Sequence, residues 1–239
     1  MKLLAFDTST EILSVAVSDG ERVWQHTGPG AAQASSTLIP TVLDLLAQAG
    51  LRMDALDALV FGRGPGSFTG LRTACSVAQG LALGAKLPVL PLDTLLAVAE
   101  EARLRHQPDA TTLQLTALLD ARMDEMYVQR FAWAAGVWTA LDACTLCRPE
   151  NLVPGAGDTL LAGNVFKVYA GRLPAWPAAQ CVEALPTATA MLRLAPALLA
   201  AGHGVGADQA LPLYVRDKVA LTTEERAVVK ARAALATPT

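Results

Sequence analysis

A glycine-rich stretch at residues 62–72 contains the residue types that could hold a phosphate group. It follows a short apolar run that predicts a buried strand, and it precedes small and apolar residues that predict a helix at 69–84. Between a strand and a helix, backbone N–H groups and a helix N-terminus point at one place and attract an anion. Gly64 and Gly66 permit close backbone approach, and Ser67 can cap the helix. The alternative is a tight turn that binds nothing.

The sequence offers no clear set of residues for a nucleophile or a metal site. The three histidines, His26, His106 and His203, lie far apart, so no motif places two imidazoles on one helix face or a base beside a nucleophile. Cys144 and Cys147 form a lone C-x-x-C, for which we expect a structural role on opposite faces of a strand. We therefore predict no catalytic residues and no metal site.

The elements that would position the glycine-rich loop occur in the same order in both halves of the chain. In each half an apolar strand ends in an aspartate, Asp7 or Asp120, and a four-residue turn and an alternating strand follow. This is a faint internal duplication. The order predicts an α/β fold of two ribonuclease-H-like subdomains in an actin/Hsp70-like (ASKHA) arrangement.

The polar stretch 106–112 is the best candidate for a boundary between the two subdomains. The N-terminal subdomain would comprise residues 1–107 and carry the glycine-rich loop and two interface helices. The smaller C-terminal subdomain would comprise residues 108–239, with a tail from about residue 209 that packs back on the first. From about residue 221 the sequence favours another helix.

Asp7, Thr8 and Ser9 lie where proteins of this arrangement converge on nucleotide phosphates. In nucleotide-binding proteins of the actin/Hsp70-like arrangement, the corresponding aspartate holds a metal-bound water, and a nearby glycine lets the backbone approach the phosphates. Ser9 takes the place of that glycine, and its Cβ narrows the approach. The simplest interpretation is a turn in which Asp7 bonds local N–H groups. The alternative is a vestigial or shared nucleotide site, completed by a partner and formed by Asp7, Thr8, Ser9, Gly64, Gly66 and Ser67.

Two predicted helices carry more apolar surface than one sheet face needs. The helix at 36–49 has a wide apolar stripe that includes Ile39 and Leu43, and the helix at 69–84 is rich in small residues that let another helix approach closely. A helix that is apolar on two faces must be buried on both. We expect a partner protein to cover them, although both could instead be covered within the monomer. The expected contact residues are Leu38, Val42, Leu45, Ala49, Ala74, Val77, Ala78 and Leu81.

Composition and charge limit the remaining classes of function. The 239 residues carry a net charge of −3 and contain no block of Lys and Arg, so strong nucleic-acid binding by this chain alone is not expected. No apolar run is long enough to span a membrane, and the N-terminus lacks the features of a signal peptide. We therefore expect a cytoplasmic protein without membrane contact. Only 17% of the residues are charged, which favours a chain that covers part of its surface with a partner.

Several segments together resemble the TsaB family, also called YeaZ. They read LAFDTST at residues 4–10, GPGSFTGLR at 64–72, LDARMDEMY at 119–127 and PLYVR at 212–216. The GPGSFTGLR string is highly specific and the others are moderately so. Many related chains have a histidine at the start of the first helix, where this sequence has Ala34-Ser35-Ser36, so even that residual metal ligand is gone.

The resemblance implies a role in making threonylcarbamoyladenosine in tRNA. TsaB is a paralogue of the catalytic subunit TsaD, with which it forms a heterodimer, and it works with the ATPase TsaE. The complex transfers a threonylcarbamoyl group to the adenosine adjacent to the anticodon in ANN-decoding tRNAs. In that family TsaB is a scaffold and activator rather than an enzyme, and it forms a homodimer when alone. It would reach tRNA only through the complex, and it would have no cofactor except ATP or ADP at the interface with its partners.

Two alternatives from other functional classes compete with this hypothesis. The first is an ATP-binding small-molecule kinase or ATPase of the same fold that uses Asp7 and the loop at 64–70. The second is a metallopeptidase, which would need a metal site assembled from distant residues. Nucleotide binding by the isolated chain would distinguish the first, and metal content after purification would distinguish the second.

Overall fold

The computed structural model describes residues 1–30, 33–153, 155 and 160–216. The helix expected from about residue 221 lies outside these described residues. Two mixed β-sheets, one from each half of the chain, form the framework, and helices cover their faces.

The first sheet has five strands in the order β3-β2-β1-β4-β5. Strands β1, β2 and β3 are antiparallel neighbours, whereas β1, β4 and β5 run parallel. Because side chains alternate along a strand, Leu4 and Phe6 face one side of the sheet while Leu3 and Ala5 face the other. Both faces are therefore apolar and both must be covered. The strands are β1 Leu3–Asp7, β2 Ile12–Ser18, β3 Val23–Pro29, β4 Ala58–Gly64 and β5 Val89–Asp93.

Two neighbouring helices, α1 Ala34–Ala49 and α2 Phe68–Ala85, cover one face of the first sheet. Helix α1 ends at Gly50, whose φ of 65° is the left-handed conformation that glycine adopts most easily. Helix α2 begins after Ser67, whose hydroxyl accepts a hydrogen bond from the Gly70 N–H at 3.5 Å. The predicted end of α1 at residue 49 and the predicted cap at Ser67 are confirmed, whereas α1 begins two residues before the predicted start and α2 extends one residue beyond each predicted end.

The second sheet repeats the topology of the first. Its order, β8-β7-β6-β10-β11, again joins three antiparallel strands to two parallel ones, and β9 pairs with β7. The protein thus consists of two ribonuclease-H-like subdomains in an actin/Hsp70-like arrangement, as the sequence predicts. The strands are β6 Thr112–Asp120, β7 Met126–Ala134, β8 Val137–Ala140, β9 Thr145–Cys147, β10 Leu160–Gly163 and β11 Cys181–Glu183.

The chain returns to the first subdomain earlier than the sequence predicted. Helix α3, Thr94–His106, packs on the second sheet, but helix α4, Ala188–Ala200, packs on the second face of the first sheet. Its buried side, which includes Met191 and Ala195, covers the residues of β1, β4 and β5 that point away from α1 and α2. The tail from about residue 209 contacts the first subdomain as expected, through Ala210 and Leu213, but α4 returns to it first, because the first sheet needs a helix on each face.

A buried carboxylate links the two subdomains at α3. Glu100 accepts hydrogen bonds from Arg103 on its own helix and from Arg193 on α4, both at 3.0 Å. The indole N–H of Trp138 on β8 also donates to it, at 3.0 Å. Glu100 is only 2% exposed, and side chains from both subdomains bond to it. It therefore fixes the relative positions of α3, α4 and the second sheet.

Candidate functional site

Asp7 is completely buried at the end of β1. The backbone N–H and the hydroxyl of Ser9 donate to Asp7 Oδ1 at 2.7 and 2.6 Å. The Thr94 hydroxyl donates to Asp7 Oδ2 at 3.2 Å and accepts from the Gly64 N–H, also at 3.2 Å. Burial raises the pKa of Asp7 to about 6, although the hydrogen bonds from Ser9 and Thr94 act in the opposite direction. Buried hydrogen bonds of Asp7 and Thr94 therefore connect β1, β4 and α3.

The turn after β1 and the glycine-rich loop pack directly on each other. The Thr8 hydroxyl donates to the Gly70 carbonyl, and the Ser67 N–H donates to the Ser9 carbonyl, both at 2.7 Å. A Cβ on Gly70 would overlap the Thr8 carbonyl oxygen, and a Cβ on Gly66 would lie 2.6 Å from Ser9. The close approach that these glycines permit is therefore used by the protein's own backbone.

The six residues predicted for a nucleotide site do come together, but they do not fit a metal-bound triphosphate. The Asp7 carboxylate has no exposed surface and already accepts three hydrogen bonds. The Ser67 amide, which could hold a phosphate, is bonded to Ser9. A local N–H partner for Asp7, the simpler of the two interpretations, is present at Ser9. A nucleotide shared with partner chains stays a prediction that these contacts do not support.

Asp120 occupies the corresponding position in the second subdomain. Its Oδ1 accepts hydrogen bonds from the Tyr169 hydroxyl at 2.7 Å and the Arg122 N–H at 2.9 Å. Its own N–H donates to Asn164 Oδ1 at 2.9 Å. Burial, and then the bond to Asp120, raise the pKa of Tyr169 above its ordinary value. The sequence did not identify Asn164 and Tyr169 as site residues. Asn164 directly follows β10, and a polar residue at the end of a strand could have indicated it.

A cavity of about 290 Å³ lies between the two aspartate turns. Its wall in the first subdomain includes Ser9, Gly66 and Ser67. Its wall in the second subdomain includes Asp120 and Arg122. The remaining lining residues include Tyr127, Asn164 and the segment 213–216. The sequence predicts loops at this position but not the cavity, because the cavity walls come from both subdomains and from the segment 213–216.

The segment 210–216 crosses from one subdomain to the other beside this cavity. The Leu213 N–H donates to the Arg63 carbonyl at 2.7 Å, and the Tyr214 ring lies 5.5 Å from that of Phe68 on α2. Arg216 reaches the second subdomain, where it bonds the Ala121 carbonyl at 3.1 Å and the Glu125 carboxylate at 2.7 Å. We call this segment the strap, because it is bonded to both sides of the cavity.

The structure corrects the choice of contact residues on α1 and α2. Five of the eight predicted residues are buried against the first sheet of the same chain and present no surface to a partner: Leu38, Val42, Leu45, Ala74 and Ala78. They form the inner part of the apolar stripes, which the sheet itself requires. The other three, Ala49, Val77 and Leu81, are half-buried at the margin of that core.

The part of each stripe that the sheet does not cover remains exposed. On α1, Ile39 and Leu43 are 43% and 55% exposed, and on α2, Leu83 is 74% exposed. Space is open beside Gly80 and Gly84, where an added Cβ would meet nothing within 4 Å. We call these five residues, together with Val77 and Leu81, the α1–α2 outward face.

Cysteines and histidines occupy separate places in the described part of the chain. Cys144 packs with the core on one face of the second sheet and Cys147 with the core on the other, as predicted. Burial raises the pKa of the Cys144 thiol to about 12 and raises that of Cys147 as well, which disfavours the reactive thiolate.

The three histidines lie apart from one another: His26 lies on β3, His106 ends α3, and His203 follows α4. Within residues 1–30, 33–153, 155 and 160–216, no three His, Cys, Asp or Glu side chains gather closely enough to hold a metal ion.

None of the helices in the described ranges has the length and apolar character needed to cross a membrane.

Comparisons with known proteins agree on tRNA threonylcarbamoyladenosine biosynthesis. The family model for TsaD, tRNA N6-adenosine threonylcarbamoyltransferase, matches residues 29–230. The tRNA threonylcarbamoyladenosine biosynthesis protein TsaB of Haemophilus influenzae is 36% identical over 238 residues, covering 92% of this chain and 95% of that protein. The protein of the same name from Escherichia coli is 33% identical over 232 residues, covering 92% and 96%.

Solved structures show the same fold over nearly the whole described chain. YeaZ from Pseudomonas aeruginosa superposes with a TM-score of 0.79 at 38% identity, covering 89% of this chain and 99% of that one. A second Pseudomonas aeruginosa structure, of a protein described as uncharacterized with similarity to peptidase YeaZ, gives 0.80 at 37% identity, covering 90% and 99%. With the topology, the aspartate turns and the GPGSFTGLR loop in place, the chain belongs to the TsaB (YeaZ) family of tRNA threonylcarbamoyladenosine biosynthesis proteins.

Proposed function

We propose that this chain is a non-catalytic partner subunit that binds TsaD and holds it in a competent geometry for threonylcarbamoyl transfer to tRNA. It acts in the cytoplasm, with TsaE as a further component, and it contacts tRNA only as part of the complex. The observation that carries the proposal is the α1–α2 outward face, where large apolar side chains and small residues are exposed on two adjacent helices.

The shape of this face suits a partner that presents a similar pair of helices. Open space at Gly80 and Gly84 lets another helix approach closely, and Ile39, Leu43 and Leu83 supply apolar area around the contact. Since the TsaD family model matches most of this chain, TsaD is expected to have the same helices in the same places. The two subunits would then meet through equivalent surfaces, as two copies of one chain do in a homodimer.

The buried state of Asp7 supports a non-catalytic role. Its carboxylate, the group that an ATPase of this fold would use, bonds Ser9 and Thr94 and has no exposed surface. The kinase or ATPase alternative therefore lacks an observation in its favour. Tight ATP binding by the isolated chain that is lost in Asp7→Ala would overturn this part of the proposal.

The pairing is tested by size-exclusion chromatography with light scattering on the chain alone and mixed with TsaD from the same source. We expect a homodimer that converts to a 1:1 complex. Leu43→Glu should weaken that complex about tenfold or more, because it places a charge in an apolar contact. It should not unfold the chain, since Leu43 is more exposed than buried.

Gln48→Glu is the matched control, because it adds the same charge on the polar side of α1. It should leave the affinity for TsaD unchanged. A monomer that ignores TsaD, or equal affinity of the Leu43→Glu and wild-type chains, would contradict the proposed surface.

A further inference from the structure

The cavity between the subdomains has hydrogen-bond donors that the protein does not use. Tyr127 is only 8% exposed and lines the cavity, yet its hydroxyl has no hydrogen-bond partner in the described part of the chain. The side-chain N–H₂ of Asn164 likewise has no acceptor there, because only its Oδ1 is bonded. Both groups line the cavity, so both can donate to an acceptor that enters it.

Two arginines, each paired with a carboxylate, also line the cavity. The Arg122 guanidinium is 3.4 Å from Asp120 Oδ2, and its side chain is 77% exposed. Arg216 is bonded through its terminal nitrogens, while its Nε is buried without an acceptor among the described residues. The Asp120 oxygens are engaged, whereas Glu11, the other carboxylate that lines the cavity, is exposed at its rim.

The turn that carries Arg122 has an unusual backbone. Arg122, Met123 and Asp124 have φ values of 60°, 55° and 60°, in the left-handed region that side-chain-bearing residues rarely adopt. Such conformations persist where the surrounding structure over-determines them, and they cluster at binding sites. Here the turn places Arg122 at the cavity.

The rest of the cavity wall is apolar. Leu71, Leu119, Leu213 and Val215 contribute much of the lining. A volume of about 290 Å³ is at the small end of the range for small-molecule sites, where a mostly apolar wall with a few polar groups is typical. A ligand for this cavity must therefore be compact, apolar over most of its surface and rich in acceptors at one end.

We propose that this cavity binds a small organic carboxylate, whose oxygens accept hydrogen bonds from Tyr127, Asn164 and Arg122 and whose apolar part lies against Leu119 and Val215. The site does not depend on the proposed pairing with TsaD, because every residue in it belongs to this chain. It also differs from a triphosphate site, since the Ser67 amide is already bonded to Ser9.

The proposal is tested with benzoate as the probe on the full chain, by ligand-observed NMR and titration. Benzamide is the matched neutral probe, because it keeps the ring and loses the charge. We expect benzoate to bind at millimolar concentration at least about tenfold more tightly than benzamide, since hydrogen bonds to a charged acceptor are the stronger ones.

Three variants assign the binding to this cavity. Tyr127→Phe removes only the vacant hydroxyl and should weaken benzoate binding about tenfold. Glu11→Gln removes a negative charge at the rim and should strengthen it. Ser36→Ala, which removes an exposed hydroxyl on α1 away from the cavity, is the control and should have no effect. Thermal unfolding of each variant checks that the fold is retained.

Several outcomes would overturn the proposal. They are no benzoate binding at millimolar concentration, equal binding of benzamide, or no effect of Tyr127→Phe in a folded variant. Displacement of benzoate by ATP at lower concentration would assign the cavity to a nucleotide instead. Displacement by inorganic phosphate alone would show that the apolar wall contributes nothing to recognition.

Discussion

At the scale of single residues, Asp7 shows how a position associated with chemistry can serve the fold instead. Its carboxylate connects a strand, a loop and a helix through Ser9 and Thr94 and reaches no solvent. A carboxylate in such a place resists ionisation, because burial penalises the charged form more than the three hydrogen bonds favour it. Between about pH 4 and pH 6, the folded protein therefore holds a proton on Asp7 that the unfolded chain releases.

This difference predicts how stability depends on pH. The folded pKa of about 6 lies above the ordinary value of 3.8, so the folded state binds more protons between these values. The contribution of Asp7 to the free energy of unfolding is greatest below pH 4, falls as the pH rises through 6, and is then lower by about 3 kcal/mol. Asp7→Asn should remove this fall.

Urea unfolding of the wild-type and Asp7→Asn chains at pH 5 and pH 8 measures the effect. The difference in unfolding free energy between the two chains should shift in favour of the Asp7→Asn variant at the higher pH. Asp44→Asn, at an exposed position, is the control and should show a constant difference. A constant difference for Asp7→Asn as well would contradict the assignment.

The sequence allowed part of this to be foreseen. A local N–H partner for Asp7 was one of the two interpretations, because Ser9 is two residues away. Thr94 could not be identified, since it lies 87 residues further along the chain and only the parallel pairing of β4 and β5 brings it to Asp7. The unpaired hydroxyl of Tyr127 was equally hidden, because nothing in an alternating strand shows which side chains lack partners.

At the scale of elements, helix α2 contains two glycines with opposite roles. Gly70 lies against the Thr8 carbonyl, so that a Cβ would overlap it, whereas Gly80 has open space. The first holds the helix close to the turn after β1, and the second leaves the outward face of the helix open. Both are glycines in the same α-helix, which makes them a matched pair for measurement.

Gly70→Ala and Gly80→Ala should change stability in opposite directions. Alanine favours a helix over glycine by roughly 1 kcal/mol, so Gly80→Ala should raise the unfolding free energy by about that amount. Gly70→Ala gains the same helix preference, but the added Cβ must push α2 away from the Thr8 carbonyl. It should therefore lower the unfolding free energy by about 1 kcal/mol or more, as other overpacking substitutions do. Chemical unfolding at one fixed, low protein concentration measures both, and equal effects would contradict the close contact at Thr8.

The ends of helices could be predicted closely from the sequence. Which apolar residues of a helix face the sheet and which face outward could not. Ser67 correctly predicted the start of α2, because a helix cap depends on local sequence. The wide stripe on α1 correctly indicated more apolar surface than the sheet needs, and Ile39 and Leu43 supply it. Which residues would be left outside could not be predicted, since a sheet and a partner protein both select apolar side chains.

At the scale of the whole molecule, two features hold the subdomains together: the bonds around Glu100 and the strap. Glu100 is the more buried of the two, and the arginines that surround it come from α3 and α4. Removing its charge leaves Arg103 without its carboxylate partner, while Arg193 keeps only Glu101. The relative position of the subdomains should therefore depend on this one side chain.

Glu100→Gln should lower the free energy of unfolding by about 3 kcal/mol, which is typical of breaking a buried ion pair from one side. Urea unfolding measures this loss, with Glu21→Gln, an exposed position, as the control. Hydrogen exchange should also become faster in α4 and β8. A loss below about 1 kcal/mol would show that Trp138 and the surrounding packing, rather than the charges, hold this junction.

The repeated topology was the feature of the whole molecule that sequence predicted best. Two aspartate-ended strands with similar turns were enough to indicate two related subdomains, and both sheets have the same order. The path of the last third of the chain was not predictable to the same degree. Helix α4 has an apolar stripe that fits either sheet, and periodicity alone does not say which one it covers.

The position of α4 also bears on how the protein is made. Leu3, Val60 and Leu90 lie on a face of the first sheet that residues near 188–200 cover. Until the ribosome has produced that helix, a nascent chain whose first five strands are complete exposes a continuous apolar face. The N-terminal subdomain is thus interrupted in synthesis by the second one, and a fragment ending at residue 107 would leave this face open to aggregation or to chaperones.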